Sequence, residues 1–391
     1  MKNEINTYRC FGYTDKQEAI RQKIRKFAEN EVSPGALHRD KTGEFDYQLY
    51  RRLADMGVTK MRFPESYGGS DEDFLSWCIV YQEIARVDLS LAMTLHVAIA
   101  GPQRILALAT KEQIEAWKNK WILPVIQGEA TASTAITETE AGSNTSNIQT
   151  TGVLHDGNWV INGNKTWVTG LGLETTLYAV TLVLTDNENK QFDYIVVPTN
   201  TKGCKIGNRY QTLGLRTAGI ASLSLNNCYV PSDNLIGRSG EGYKWTTRQR
   251  LIESRVQLCS GCLGVHEACL EESVKFAQRR MTFGQPISRY QHIQGMLIDM
   301  VLNLDLGQCY RDKVASLIDQ KIRPLKESSM LKIFCTEAAK RAADNAIQIH
   351  GAQGLFDENS VCRFYRDVRA MSIAEGPTEL QKSIVARDFG W

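Results

Sequence analysis

Residues 175–200 read TTLYAVTLVLTDNENKQFDYIVVPTN. Two apolar runs, rich in β-branched and aromatic residues, flank the polar Asp186–Asn189, which is the pattern of a β-hairpin. Other short β-rich runs stand on either side of it, NWVING at 158–163 and ASLSLNNCYVP at 221–231. Together they predict a small β domain over 130–237. Outside those limits the apolar period becomes helical. Upstream, TDKQEAIRQKIRKFAENEV (14–32) offers Thr14 as an N-cap before apolar positions at Ala19, Ile20, Ile24, Phe27 and Ala28. FDYQLYRRLADMGV repeats the pattern and stops at Gly57. Downstream, Leu258, Cys262, Val265 and Cys269 form one helical face, and Leu263, Leu270, Val274 and Ala277 another. A helix apolar on more than one side is buried among other helices. Two further long amphipathic segments, 290–319 and 327–351, complete the set for a four-helix bundle. The expected fold is α+β and mostly α: helical over 1–129, β over 130–237, helical again over 238–391.

The chain has 391 residues, 42% of them hydrophobic, with a formal net charge of +2. That supports two or three packed units with a sizeable core. The balanced charge, without a basic block, argues against a nucleic-acid partner. No apolar run suggests a membrane span, and the first residues lack the apolar centre of a signal peptide. Ten scattered cysteines suit free thiols in a reducing cytoplasm. CSGC at 259–262 has metal-like spacing but no second pair, and it falls within a helical apolar face, so packing is its expected role. No metal site is expected. GLGLET at 170–175 lacks the third glycine of a dinucleotide fingerprint.

Four segments carry the chemistry: AITETEAGSN (135–144), NGNKTWVTG (162–170), RRMTFGQPISRYQ (279–291) and YRDVRAMSIAEGPTELQ (365–381). The last puts an acid, Glu375, at a Gly-Pro break between two helical stretches. It could serve the following helix electrostatically or stand as a base on a turn. In order and separation, the four segments resemble the acyl-CoA dehydrogenase flavoprotein family over nearly the whole chain.

The resemblance implies FAD-dependent α,β-dehydrogenation of an acyl thioester. Glu375 would take the α-proton, hydride would pass to flavin N5, and Gly376 would let the backbone approach the thioester. It places Ile136, Thr137, Ser143, Trp167 and Thr169 at the flavin and substrate, with Arg255 near the substrate. It places Arg280, Thr282, Phe283, Gln348, Gly351 and Ala352 against the FAD of a neighbouring subunit, and Glu379 at the cofactor. A homodimer or homotetramer follows, with an electron-transfer flavoprotein as acceptor. Relatives that carry the base on a helix have it where this chain has Ser254, with Glu253 turned about 100° away.

Several positions depart from the family pattern. Ala374 replaces an aromatic, Pro377 a threonine, and Thr139 and Glu140 a Pro-Gly turn. An open Ala374 leaves room for a bulkier α-substituent or a carrier-bound acyl group. Other readings stand beside the first: a dehydrogenase of carrier-protein-bound acyl or aminoacyl thioesters, an enoyl-thioester reductase, an oxidase, or a scaffold protein without flavin turnover.

Overall fold

A computed structural model describes residues 12–245 and 251–391. The chain opens with seven helices: α1 (Asp15–Phe27), α2 (Ala36–Thr42), α3 (Tyr47–Asp55), α4 (Phe74–Ala85), α5 (Leu89–Leu108), α6 (Lys111–Trp117) and α7 (Leu123–Ile126). Thr14 caps α1 in a reciprocal capping box with Gln17, which satisfies two otherwise orphaned N–H groups. Ile24 and Phe27 turn inward. α3 stops where the C-terminal N–H of Gly57 bonds Ala54, with Gly57 in the left-handed region.

α4 and α5 are largely apolar; nearly every residue of α4 and fifteen of the twenty in α5 are buried. α5 is the one described helix with the length and composition of a membrane span. Here it is a core helix, packed on β1 and α4. Its apolar positions mark no single stripe, so the sequence pattern does not single it out.

The middle of the chain forms a seven-stranded sheet: β1 (Thr131–Ala135), β2 (Thr151–His155), β3 (Asn158–Val168), β4 (Thr176–Asp186), β5 (Gln191–Pro198), β6 (Cys204–Ile206) and β7 (Ala221–Pro231). The order is β1-β4-β2-β3-β7-β6, with β5 also on β4. β4 and β5 form the antiparallel hairpin expected around 186–189. β4 alternates faces, as a strand must. Tyr178, Val180 and Leu182 join the helical core, while Ala179 and Val183 join the inner core of the sheet with Ile195 and Val197.

After α8 (Gly242–Trp245) come α9 (Leu251–Arg279), a two-residue hairpin of β8 (Met281–Thr282) and β9 (Gln285–Pro286), α10 (Gln291–Asp319), α11 (Leu325–His350), α12 (Ser360–Arg369) and α13 (Thr378–Asp388). α9 is the buried centre of the bundle, against α4, α10 and α11. Cys259 and Cys262 are fully buried there. α9 and α11 run parallel: Arg255 meets Ser329 at one end and the Phe276 and His350 rings lie 4.3 Å apart at the other. α10 approaches closely at Gly307, where a Cβ would come within 2.6 Å of Leu263.

Candidate active site

A cavity of about 790 Å³ opens where the helical layers meet the edge of the sheet. α5 contributes Met93, His96, Val97 and Ala100, one helical face at intervals of three and four. α9 contributes Leu251, Ser254 and Arg255 at the same spacing. The ends of β1 and β3 supply Ile136, Thr137, Trp167 and Thr169, and Ser143 lies on the loop after β1. Glu375 and Gly376 close the wall from the turn before α13.

The turn is unusual. Glu375 has φ +56° and Gly376 +91°, and a left-handed glutamate persists only where its surroundings impose it. Three elements hold this one. Gln381 of α13 donates from Nε2 to the carbonyl oxygens of Glu375 (3.2 Å) and Gly376 (3.0 Å). Arg255 of α9 donates from Nε to the Glu375 carbonyl at 3.4 Å. Lys332 of α11, fully buried, donates from Nζ to the Ser372 carbonyl at 3.4 Å. The main-chain N–H of Glu375 finds no acceptor among the described residues. Burial holds the Arg255 guanidinium below its ordinary range, and the charge of Glu375 opposes that shift. The acid therefore faces the cavity with a buried cation behind its backbone.

Trp167 is turned into place by a β-bulge. Lys165 pairs with Leu223, but the next registered pair is Val168 with Ala221, so β3 carries one residue more than β7 there. Trp167 takes φ +54° and the residue remains 55% exposed. The loop after β1 is fastened from beneath. The Glu138 carboxylate accepts the Gln149 and Thr150 N–H groups, the Thr150 hydroxyl and the Lys165 ammonium at 2.8 Å. Lys165 also donates to the Ile136 carbonyl at 3.0 Å. Burial pulls the Lys165 ammonium down to about 8, against the pull of Glu138. Burial pushes the Glu138 carboxyl up, but the bonds from Lys165, Thr150 and Gln149 outweigh it and leave it below the ordinary range.

Eight residues singled out in the sequence thus share one cavity: Ile136, Thr137, Ser143, Trp167, Thr169, Arg255, Glu375 and Gly376. Six others do not. Arg280, Thr282 and Phe283 sit at the far end of α9, and Gln348, Gly351 and Ala352 at the far end of α11. Arg280 follows the end of α9, and the twenty-four residues of the helix between it and Arg255 span about 36 Å at 1.5 Å each. The two far groups are neighbours through Phe276 and His350. Phe283 is 95% exposed. Glu379 is exposed on α13 outside the cavity wall. Glu253 points away, 3.7 Å from Arg62, whereas Ser254 lines the cavity. The sequence reading missed His96, Arg104 and Tyr243. The signal for the first two lay in α5, where Asp88 caps the helix and positions 93, 96, 97, 100 and 104 share a face.

Three family models match the chain, in chain order. Residues 14–129 match "Acyl-CoA dehydrogenase, N-terminal domain", residues 133–228 the middle domain and residues 240–390 the C-terminal domain. The chain belongs to the acyl-CoA dehydrogenase family. It is 33% identical to the probable acyl-CoA dehydrogenase YngJ of Bacillus subtilis (strain 168), over 97% of this chain and 99% of the relative. Butyryl-CoA dehydrogenase from Megasphaera elsdenii superposes with a TM-score of 0.92 at 26% identity, covering 97% of this chain and all of that one. The prolyl acyl carrier protein oxidase AnaB superposes at 0.91 and 26% identity, covering 97% and 100%. The arrangement of N-terminal helices, middle sheet and C-terminal helical bundle is that of the acyl-CoA dehydrogenase fold, as expected from the sequence, and the family is one of flavoprotein oxidoreductases.

Residues that could hold FAD fit such a group in chemistry. Hydroxyls of Thr137 and Thr169 and an exposed indole border one cavity. A large aromatic shown to an open cleft suits a planar ring system that covers it.

Proposed function

We propose that this chain dehydrogenates an acyl thioester between its α and β carbons, with FAD as cofactor and Glu375 as the base. The observation that carries the reading is the Glu375 turn: a carboxylate in a strained backbone conformation, held by α9 and α13 and directed at a cavity. Trp167 and Thr169 would hold FAD at the cavity, and the cofactor would supply the acceptor for the β-hydride. Glu375 takes the proton from the α-carbon. Its own N–H is available to the thioester carbonyl, where negative charge develops as the proton leaves. Arg255 and Gln381 hold the Glu375 carbonyl, on the other side of its Cα from that N–H, so little reorganisation of the turn accompanies the reaction. The apolar side chains of Met93, Val97 and Leu251 line the cavity and keep water from the acyl chain.

The far group, Arg280 to Phe283 with Gln348 to Ala352, serves the FAD of a second copy. It lies a helix length from the cavity of its own chain. Ile298, Leu302 and Leu306, at intervals of four along α10, leave an apolar stripe exposed, which a homo-oligomer would cover. Electrons would leave to an electron-transfer flavoprotein, as the family resemblance implies.

A second reading has its own support. Ala374 lines the cavity beside Glu375 with only a methyl group, which leaves room for a bulkier acyl group on a carrier protein. The likeness to a prolyl acyl carrier protein oxidase points the same way.

The test is an anaerobic visible spectrum of the purified protein with a panel of acyl-CoAs. Loss of the oxidised-flavin band is expected with at least one, and Glu375→Gln should keep its flavin yet show no loss. Unimpaired bleaching in that variant would remove Glu375 from the role of base.

A further inference from the structure

We infer that the acyl end of the cavity selects an acyl group carrying an uncharged hydrogen-bonding substituent beyond its β-carbon, and that His96 and Ser254 recognise it. The inference rests on the thioester-dehydrogenase reading above and names its substrate class.

The two residues come from different elements. His96 belongs to the α5 face that lines the cavity, among Met93, Val97 and Ala100. Ser254 stands one turn into α9. Both are buried, 6% and 3% exposed, and Nε2 of His96 lies 3.1 Å from Oγ of Ser254. The imidazole is set edge-on to the Tyr81 ring, with centroids 6.1 Å apart and planes at 77°. Tyr81 in turn bonds Met93 Sδ at 3.1 Å. The imidazole is therefore braced by packing on one side and by a hydroxyl on the other.

The pair stands in the cavity wall, next along α9 to a residue that holds the Glu375 turn. Ser254 is followed by Arg255, whose guanidinium reaches the Glu375 carbonyl at 3.4 Å. The charge of Glu375 also reaches the Tyr81 phenol, which burial and Cys262 already push well above its ordinary value. Glu375, Arg255, Ser254 and His96 are thus neighbours around one pocket.

A purely hydrocarbon acyl chain asks for an apolar wall, which Met93, Val97 and Ala100 already provide. A buried imidazole–hydroxyl pair in that wall adds nothing to such a chain. A serine hydroxyl has one donor and two acceptor positions, and His96 engages one of them. A neutral polar substituent can join the pair at the Ser254 hydroxyl. A charged substituent fits less well. Arg255 and Glu375 already balance each other here, and a third buried charge would lack a partner.

The probe is a pair of thioesters that differ only in methyl for hydroxyl, hexanoyl-CoA and 5-hydroxypentanoyl-CoA. Their binding is measured by calorimetry on the FAD-loaded Glu375→Gln variant, which cannot turn them over. The hydroxyl compound should bind roughly tenfold tighter, the size of one well-made hydrogen bond to a neutral partner. Adding His96→Leu should invert the preference, and adding Ser254→Ala should shrink it to about threefold. If His96→Leu does not fold, Ser254→Ala alone carries the test. Hexanoyl-CoA binding as tightly as its partner, or a preference that survives both substitutions, overturns the inference. Flavin reduction in the wild type is read separately. A tenfold binding preference without any reduction would leave the polar recognition standing and sink the dehydrogenase reading instead.

Discussion

The side-chain amide of Gln381, fully buried at the start of α13, bridges the carbonyl oxygens of Glu375 and Gly376. A Cβ on Gly376 would come within 2.7 Å of that same nitrogen, so the glycine and the glutamine form one device that keeps the acid in place.

Gln381→Leu should leave two carbonyls without this donor and free the left-handed Glu375 to relax. We expect a loss of roughly 1–3 kcal/mol in stability and flavin reduction slowed at least tenfold, with flavin content little changed. Thermal unfolding and anaerobic stopped-flow absorbance read the two effects. A reduction rate equal to wild type would show that the turn holds itself.

The Lys165–Glu138 pair fastens the loop after β1 that carries Thr137 and Ser143. Lys165→Met should leave a buried carboxylate without its cation and cost roughly 3–5 kcal/mol. The double variant with Glu138→Gln should be more stable than Lys165→Met alone, because the unpaired charge is then gone. Urea denaturation of the four species gives the coupling. Additive effects would mean that the two groups act independently.

Asp367 predicts a pH dependence. It is fully buried, and burial lifts its carboxyl to about 6 from 3.8, with Asp40 and Asp88 adding to the rise and Arg363 and the Leu215 N–H opposing it. Between those values the folded chain holds a proton that the unfolded chain has released. The contribution of Asp367 to stability therefore falls as pH rises from about 4 to 6. Asp367→Asn keeps an acceptor for Leu215 N–H, which is 2.7 Å from Oδ1. It should gain roughly 1–3 kcal/mol on the wild type across that window. Parallel pH-stability curves for the two proteins would show that Asp367 titrates normally.

Arg280 and the exposed stripe of α10 test the shared cofactor site. Ile298→Lys with Leu302→Lys should give a folded monomer by light scattering and circular dichroism, and that monomer should be poor in flavin. Arg280→Glu should weaken flavin retention without breaking the oligomer. A flavin-replete monomer would show that each chain holds FAD alone.

Much of the architecture was legible because it is written in local periods. The β4–β5 hairpin follows from two apolar runs and a polar turn. α1 follows from Thr14 and Gln17. The buried α9 follows from two apolar faces on one helix. α5 carries no such stripe, and so His96 and Arg104 went unread, although both lie in the cavity. Trp167 was legible as a motif residue, but its exposure comes from a bulge in β3 that only the pairing with β7 creates.

The sequence by itself determined the order of helical, β and helical regions, the family, and the placing of an acid at a Gly-Pro break. Those features depend on residues close together in the chain, where hydrogen-bond period and turn chemistry act. Only the tertiary structure decided which of the singled-out residues meet. Glu375 joins Arg255, Trp167 and Ile136 because three distant segments pack at one end of the bundle. Arg280 and Gln348 are carried to the other end by the straight run of α9 and α11. That separation is a matter of helix length and parallel packing, and no pattern in the residues themselves expresses it.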